Sequence, residues 1–395
     1  MQMAGPLAGI KIVDLSQIVS GPMATTMLAD QGAEVIKVES PGGDPVRSLG
    51  PRKGDRSAMF IAVNRGKQGL SIDLKTQGGR TILERLVRWA DVLIENFRPG
   101  TMERLGFGYD RCAEINPQLI FASITGFGQE GPYRNIRVYD MVAQAVSGIA
   151  ATQVDHQGKP SLVRSLIADK VTALTMAQAI TAALFHRERT GIAQRVDVAM
   201  LDAALAFNWP EGMYNHSFID DVPAAFPEYG ALSRLWTASD GQVAIGMMQN
   251  VEFLALAKSL DREDLATDPR FQSVAGRMKH QKEWAPEIAR EMAARTKDEL
   301  MAGFIREGAV GGRVNYCAEV VDDPQVVFNQ SVVEIDHGAA GRVRAARPPA
   351  RFAATPAAAA DAAPSLGEHG RAVLAALGFD AAEIDGFAAD GSLQG

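Results

Sequence analysis

A single carboxylate, Asp169, stands in Ser165-Leu166-Ile167-Ala168-Asp169-Lys170-Val171, where an apolar run meets a long helical pattern. From residue 170 to 189 the chain is rich in Ala, Leu, Met, Gln and Ile and closes at Thr190-Gly191, so a helix is expected to begin at or beside this aspartate. Two roles are open to it. As an N-cap it would accept orphan amide hydrogens of the first turn, a contribution of about 1 kcal/mol. As a carboxylate nucleophile it would have its charge steadied by the helix N-terminus. Residues able to serve such a nucleophile follow the predicted strands: Ser16 and Gln17 after the first, Lys75 after the third, and Asn96-Phe97-Arg98-Pro99-Gly100 after the fourth. Ligands of open α/β sheets bind at those carboxyl ends. Each residue also has a plainer reading, with Phe97 as core, Arg98 and Arg104 as a solvated pair, and Lys75 as an exposed lysine at a helix start.

The elements that must position these groups alternate. Residues 10–15 read as a buried strand, Gly21-Pro22 opens a helix through 29, and a second strand follows at 34–38. Strands at 70–74, 91–95 and 118–124 alternate with helices at 79–90 and 109–115, a pattern that favours a largely parallel sheet covered on both faces. The fold class expected is α/β. No G-x-G-x-x-G lies between the first strand and its helix, and no G-x-x-x-x-G-K-[ST] follows any strand, so neither a dinucleotide site nor a P-loop is indicated. Helices are expected at 139–150, after Asp169 and at 201–207, with a strand at 194–199. Residues 208–230 are rich in Pro and Gly and read as a linker closing a large domain of 1–207. A smaller α+β domain is expected over 231–337, with a hairpin turning at Asp240-Gly241 and helices at 251–260, 282–294 and 297–306. Residues 338–395, with an Ala-rich tether at 353–364 and a helix at 368–377, would complete the large domain.

Composition narrows the function classes. With 395 residues, 47% apolar and 22% charged, the chain has the balance of a soluble globular enzyme. A net charge of −7 argues against a nucleic-acid surface, so any anion site must be a local basic pocket. Two cysteines without a CxxC pair indicate neither a disulfide framework nor a metal site. The start lacks a charged-then-apolar leader and no run of 18 apolar residues follows, so a cytoplasmic protein with no membrane span is expected.

Several segments, taken in order, resemble the class III CoA-transferases, the family that includes formyl-CoA and carnitine CoA-transferases with the α-methylacyl-CoA racemases as a side branch. They are residues 6–15 (PLAGIKIVDL), 32–39 (GAEVIKVE), 95–100 (ENFRPG), Asn116-Pro117, Gly126-Phe127-Gly128, the Asp169 segment, and Leu366-Gly367-Glu368-His369. The resemblance implies a Rossmann-like large domain, an interlocked homodimer, and acyl-CoA and a small carboxylic acid as substrates, with no permanently bound cofactor. It implies that Asp169 is the nucleophile, attacking the thioester to give a mixed anhydride and then an aspartyl-CoA thioester. It also implies CoA contacts at Ser16, Gln17, Ile72, Lys75, Asn96, Phe97, Arg98, Arg104, Arg137 and Tyr139. Two departures narrow it: no run of glycines covers residues 226–241, as in formyl-CoA transferase, and Tyr139-Asp140 stands where the racemases carry His-Asp. An acyl-CoA racemase is the alternative reading and a CoA-binding scaffold a third. Trp209, Met213, Tyr214, Phe226 and Tyr229 are candidates for the acyl end.

Overall fold

The computed structural model describes residues 5–154, 157–226, 234–357 and 362–395. Tyr229 and part of the expected tether lie outside them. The chain forms two compact units: Met1–Ala224 with Gln330–Gly395, and Ala225–Asn329.

The first unit is built on a seven-stranded sheet. Its strands are β1 (Lys11–Asp14), β2 (Glu34–Glu39), β3 (Gln68–Ile72), β4 (Val92–Glu95), β5 (Ile120–Thr125), β6 (Arg195–Ala199) and a short C-terminal strand, Leu393–Gln394. The order is Leu393–Gln394, β3, β2, β1, β4, β5, β6; all neighbours are parallel except the terminal strand, which runs antiparallel along β3. Most strand positions are buried because both faces are covered, and the polar residues Asp14, Lys37, Ser71 and Ser123 are buried among the apolar ones. Ile12 joins one core with Ala24, Leu28, Val92 and Met176, while its neighbour Val13 joins the other with Ile36, Leu83, Leu93 and Phe121. From β1 the order proceeds outward in both directions, so the β1/β4 boundary is the crevice where such sheets take ligands.

The helices that matter for this crevice are α1 (Ser20–Ala29), α2 (Gln77–Trp89), α3 (Asp140–Val146), α4 (Ile167–Thr190) and α5 (Met200–Gly212). Along α4, Ala168, Val171, Ala173, Met176, Ala177, Ile180, Ala183 and Leu184 are buried at helical spacing, and its small residues belong to the same core as α1.

Four local expectations are corrected. The helix after residue 139 ends at Val146, because Gly148 takes a left-handed turn (φ 87°) before a short helix at Ile149–Thr152. Helix α5 continues to Gly212 through Pro210, so residues 208–212 are helix rather than linker. Strand β3 ends at Ile72, and Lys75 sits in the turn that Asp73 and Thr76 organise ahead of α2. Helix α4 begins at Ile167 with Leu166 at the N-cap, which places Asp169 inside the first turn.

The second unit holds an antiparallel hairpin, Leu235–Ala238 with Gly241–Ile245, and a third strand, Gly311–Arg313, that the sequence reading did not anticipate. Helices at Asn250–Ser259, Gln281–Ala293 and Lys297–Glu307 fall within a residue of their expected places. Phe253, Trp284, Ile288 and Phe304 fill its core.

Candidate active site

A cavity of about 370 Å³ opens at the carboxyl ends of β1, β4, β5 and β6. Its lining joins Gln17, Asn96, Phe97, Arg98, Arg137, Tyr139 and Asp169, seven of the eleven residues expected as nucleophile or CoA contacts. Ser16, Ile72, Lys75 and Arg104 do not line it. Ser16 is buried beneath the first loop, its amide donating to Asp14 at 2.9 Å. Ile72 is 1% exposed and pairs with Leu393. Lys75 and Arg104 are exposed, Lys75 in the turn after β3 and Arg104 bonded to Thr101 at 2.8 Å in a short helix after the β4 loop.

Asp169 is 9% exposed and reaches the cavity from the first turn of α4. It does not cap that helix. Its own amide donates to Asp140 Oδ1 at 3.1 Å, so the neighbouring carboxylate from α3 satisfies one of the orphan N–H groups of α4. Asp140 is held in turn by Gln144, whose Nε2 donates to Oδ2 at 2.5 Å and whose Oε1 accepts from the Val163 amide at 2.9 Å. Burial pushes the Asp169 carboxyl up to about 6; the charge of Asp140 adds to the rise and the Ser20 hydroxyl opposes it. A carboxylate this far desolvated is more basic than one in water, which suits attack on a carbonyl carbon.

Among the cavity residues, the side chains of Arg98, Arg134 and Arg137 form no hydrogen bond or ion pair with any described residue. In a chain of net charge −7, three unneutralised guanidinium groups around one cavity make a local anion site. Arg134 escaped the sequence reading, although its place three residues before Arg137 on one loop was a usable signal. Gly126 brings this basic loop close, since a Cβ there would lie 2.3 Å from a methyl of Val138.

The β4 loop is fixed from behind. Glu95 accepts the Phe97 amide at 2.7 Å and the Ser123 hydroxyl. Burial raises Glu95 to about 7, against the stabilising Ser123 and Phe97 hydrogen bonds. Asn96 faces the β1 loop, accepting the Gln17 amide and donating to the Gln17 carbonyl, both at 2.8 Å. Ile18, also on the wall, has φ 68°, a left-handed conformation that costs a β-branched residue about 1–3 kcal/mol. Beneath it lies a buried charged network. Burial would raise Asp14, but the ammonium groups of Lys67 and Lys37 hold it at about 2, while burial lowers Lys67 to about 8.

Residues 7–370 match CoA-transferase family III. The chain is 34% identical to a probable fatty acyl-CoA transferase, Rv3272, of Mycobacterium tuberculosis, over 94% of this chain and 98% of that protein. It is also 34% identical to succinate–glutarate CoA-transferase of Agrobacterium fabrum, over 94% and 96%. Among solved structures, a CAIB/BAIF family protein from Brucella suis superposes with a TM-score of 0.83 at 34% identity, over 95% of this chain and all of that one.

Proposed function

This chain belongs to CoA-transferase family III, and from that premise we propose that it moves CoA from an acyl-CoA to a free carboxylic acid through covalent intermediates on Asp169. The observation that carries the proposal is the placement of one desolvated carboxylate beside three unpaired arginines.

In the proposed sequence an Asp169 oxygen attacks the thioester carbonyl, the C–S bond breaks, and CoA departs as its thiolate, leaving a mixed anhydride. The thiolate then attacks the aspartyl carbonyl; the donor acid leaves as a carboxylate and an aspartyl-CoA thioester remains. The acceptor carboxylate attacks that carbonyl, expelling the thiolate and forming a second anhydride. Attack of the thiolate on its acyl carbon yields the new acyl-CoA and frees Asp169. Each step exchanges one acyl bond for another, so no proton, electron or ATP is consumed. Arg98, Arg134 and Arg137 are assigned to the phosphates and to the acceptor carboxylate. Ser16, Ile72, Lys75 and Arg104 remain proposed contacts for the nucleotide end, since β3 and the β4 loop open on the same edge of the sheet.

The racemase alternative needs acid and base groups on both faces of the α-carbon. Among the described residues, the cavity lining offers one carboxylate, Asp169, and no histidine. The test is a panel of acyl-CoA donors and free acids, with peptide mass spectrometry after hydroxylamine trapping and deuterium uptake at the substrate α-carbon. Label on Asp169 without deuterium exchange is expected, and Asp169→Asn should lose both label and turnover. Exchange without label would establish the racemase instead.

A further inference from the structure

The backbone from Ser16 to Ile18 is held almost entirely by side chains from elsewhere in the first unit. The Ser16 carbonyl accepts from Lys37 Nζ, and the Gln17 peptide is clamped by Asn96. The Ile18 amide donates to both oxygens of Asp44, at 3.1 and 3.2 Å. Asp44 is 3% exposed, does not touch the cavity, and also takes the Val46 amide and Lys37 Nζ, each at 3.0 Å. Ile18 keeps its left-handed φ of 68° at the end of this chain of contacts. A β-branched residue leaves that conformation unless its surroundings over-determine it.

We infer that Asp44 is a positioning residue for acyl transfer: by holding the Ile18 amide it keeps the Gln17–Ile18 turn in the strained form that sets both side chains on the wall of the Asp169 cavity. The competing role is purely structural, with Asp44 present only to neutralise buried Lys37. The two roles differ in what a glycine at position 18 would change. Glycine adopts a positive φ without strain, so it removes the need for Asp44 as a backbone anchor and leaves Lys37 as unpaired as before.

This inference rests on the transferase reading, which turnover by the wild-type enzyme tests separately. The experiment is a double-mutant cycle of Asp44→Asn and Ile18→Gly, with kcat, KM and thermal stability measured in each background. Asp44→Asn is expected to lower kcat about 30-fold in the wild-type background and less than about threefold in the Ile18→Gly background, with the same loss of stability in both. A crystal structure of Asp44→Asn should show Ile18 at negative φ, a result that needs no substrate. Equal kcat losses in the two backgrounds, no loss in either, or an unchanged Ile18 φ would overturn the inference. If Asp44→Asn does not fold, the pair Asp44→Leu with Lys37→Met, which leaves no buried charge at either position, enters the cycle under the same criteria.

Discussion

Asp169 carries its proton to about 6 when folded, against 3.8 for the free side chain. The folded protein therefore binds this proton more tightly than the unfolded chain, so stability is lost as the pH rises from about 4 to 6 and stays lost above that. A shift of about two units corresponds to roughly 3 kcal/mol held against folding at neutral pH. Asp169→Asn should consequently melt higher than wild type at pH 7.5 and no higher at pH 3.5, as calorimetry at the two pH values would show; an equal Tm at pH 7.5 would mean the carboxylate is not desolvated. The same group should give kcat/KM an acid limb, falling tenfold per unit below pH about 6. The arginines are proposed to act on binding. Arg134→Ala and Arg137→Ala are each expected to raise KM for acyl-CoA about tenfold with little change in kcat, since they meet charge that is equal in ground and transition states. Steady-state kinetics that leave both KM values unchanged would move the phosphates elsewhere.

At the scale of elements, much of this site was legible because parallel strands announce themselves as apolar runs and their carboxyl ends are the places to look. Gln17, Asn96, Phe97 and Arg98 follow β1 and β4 directly, and these strands flank the crevice. Ile72 and Lys75 follow the same rule after β3, yet β3 lies two strands from the crevice, and strand order depends on pairing that no local pattern encodes. Asp169 was visible as a carboxylate at a helix start; that Asp140 satisfies its amide was not, because the partner comes from another helix 29 residues earlier. The strain at Ile18 was equally silent, since isoleucine gives no hint of a left-handed turn. Gly126 shows how closely elements must approach. In Gly126→Ala the new methyl would meet Val138 at 2.3 Å and push away the loop that carries Arg134, Arg137 and Tyr139. The expected outcome is a KM for acyl-CoA raised at least tenfold with the Tm lowered by only a few degrees. Unaltered KM in that variant would show that the loop yields without moving its arginines.

For the whole molecule, the order in which the chain builds its units bears on assembly. The chain leaves the first unit at Ala224, forms the second over Ala225–Asn329, and returns at Gln330 to complete the first with a hairpin, two helices and an edge strand. The first unit is thus assembled from two stretches of chain separated by the whole of the second. The first unit also leaves large apolar side chains in the open, among them Tyr139 beside the cavity, Phe185 on α4, Phe207 and Trp209 on α5, and Ile219, which is 90% exposed. Apolar side chains of this size, left exposed, are available to an association surface. The proposed cover is a second copy, interlocked with the first as the family resemblance implies. Interlocking makes a kinetic statement that ordinary docking does not. Two linked rings separate only if one chain unfolds, so subunit exchange is limited by the unfolding rate and not by the affinity of a surface. Homodimers of two mass-tagged versions, mixed at micromolar concentration and followed by native mass spectrometry, should therefore show no mixed dimer over days at 25 °C. They should give the statistical mixture only after denaturation and joint refolding. Mixed dimers forming within hours, or an active monomer by light scattering at the same concentration, would exclude the interlocked form.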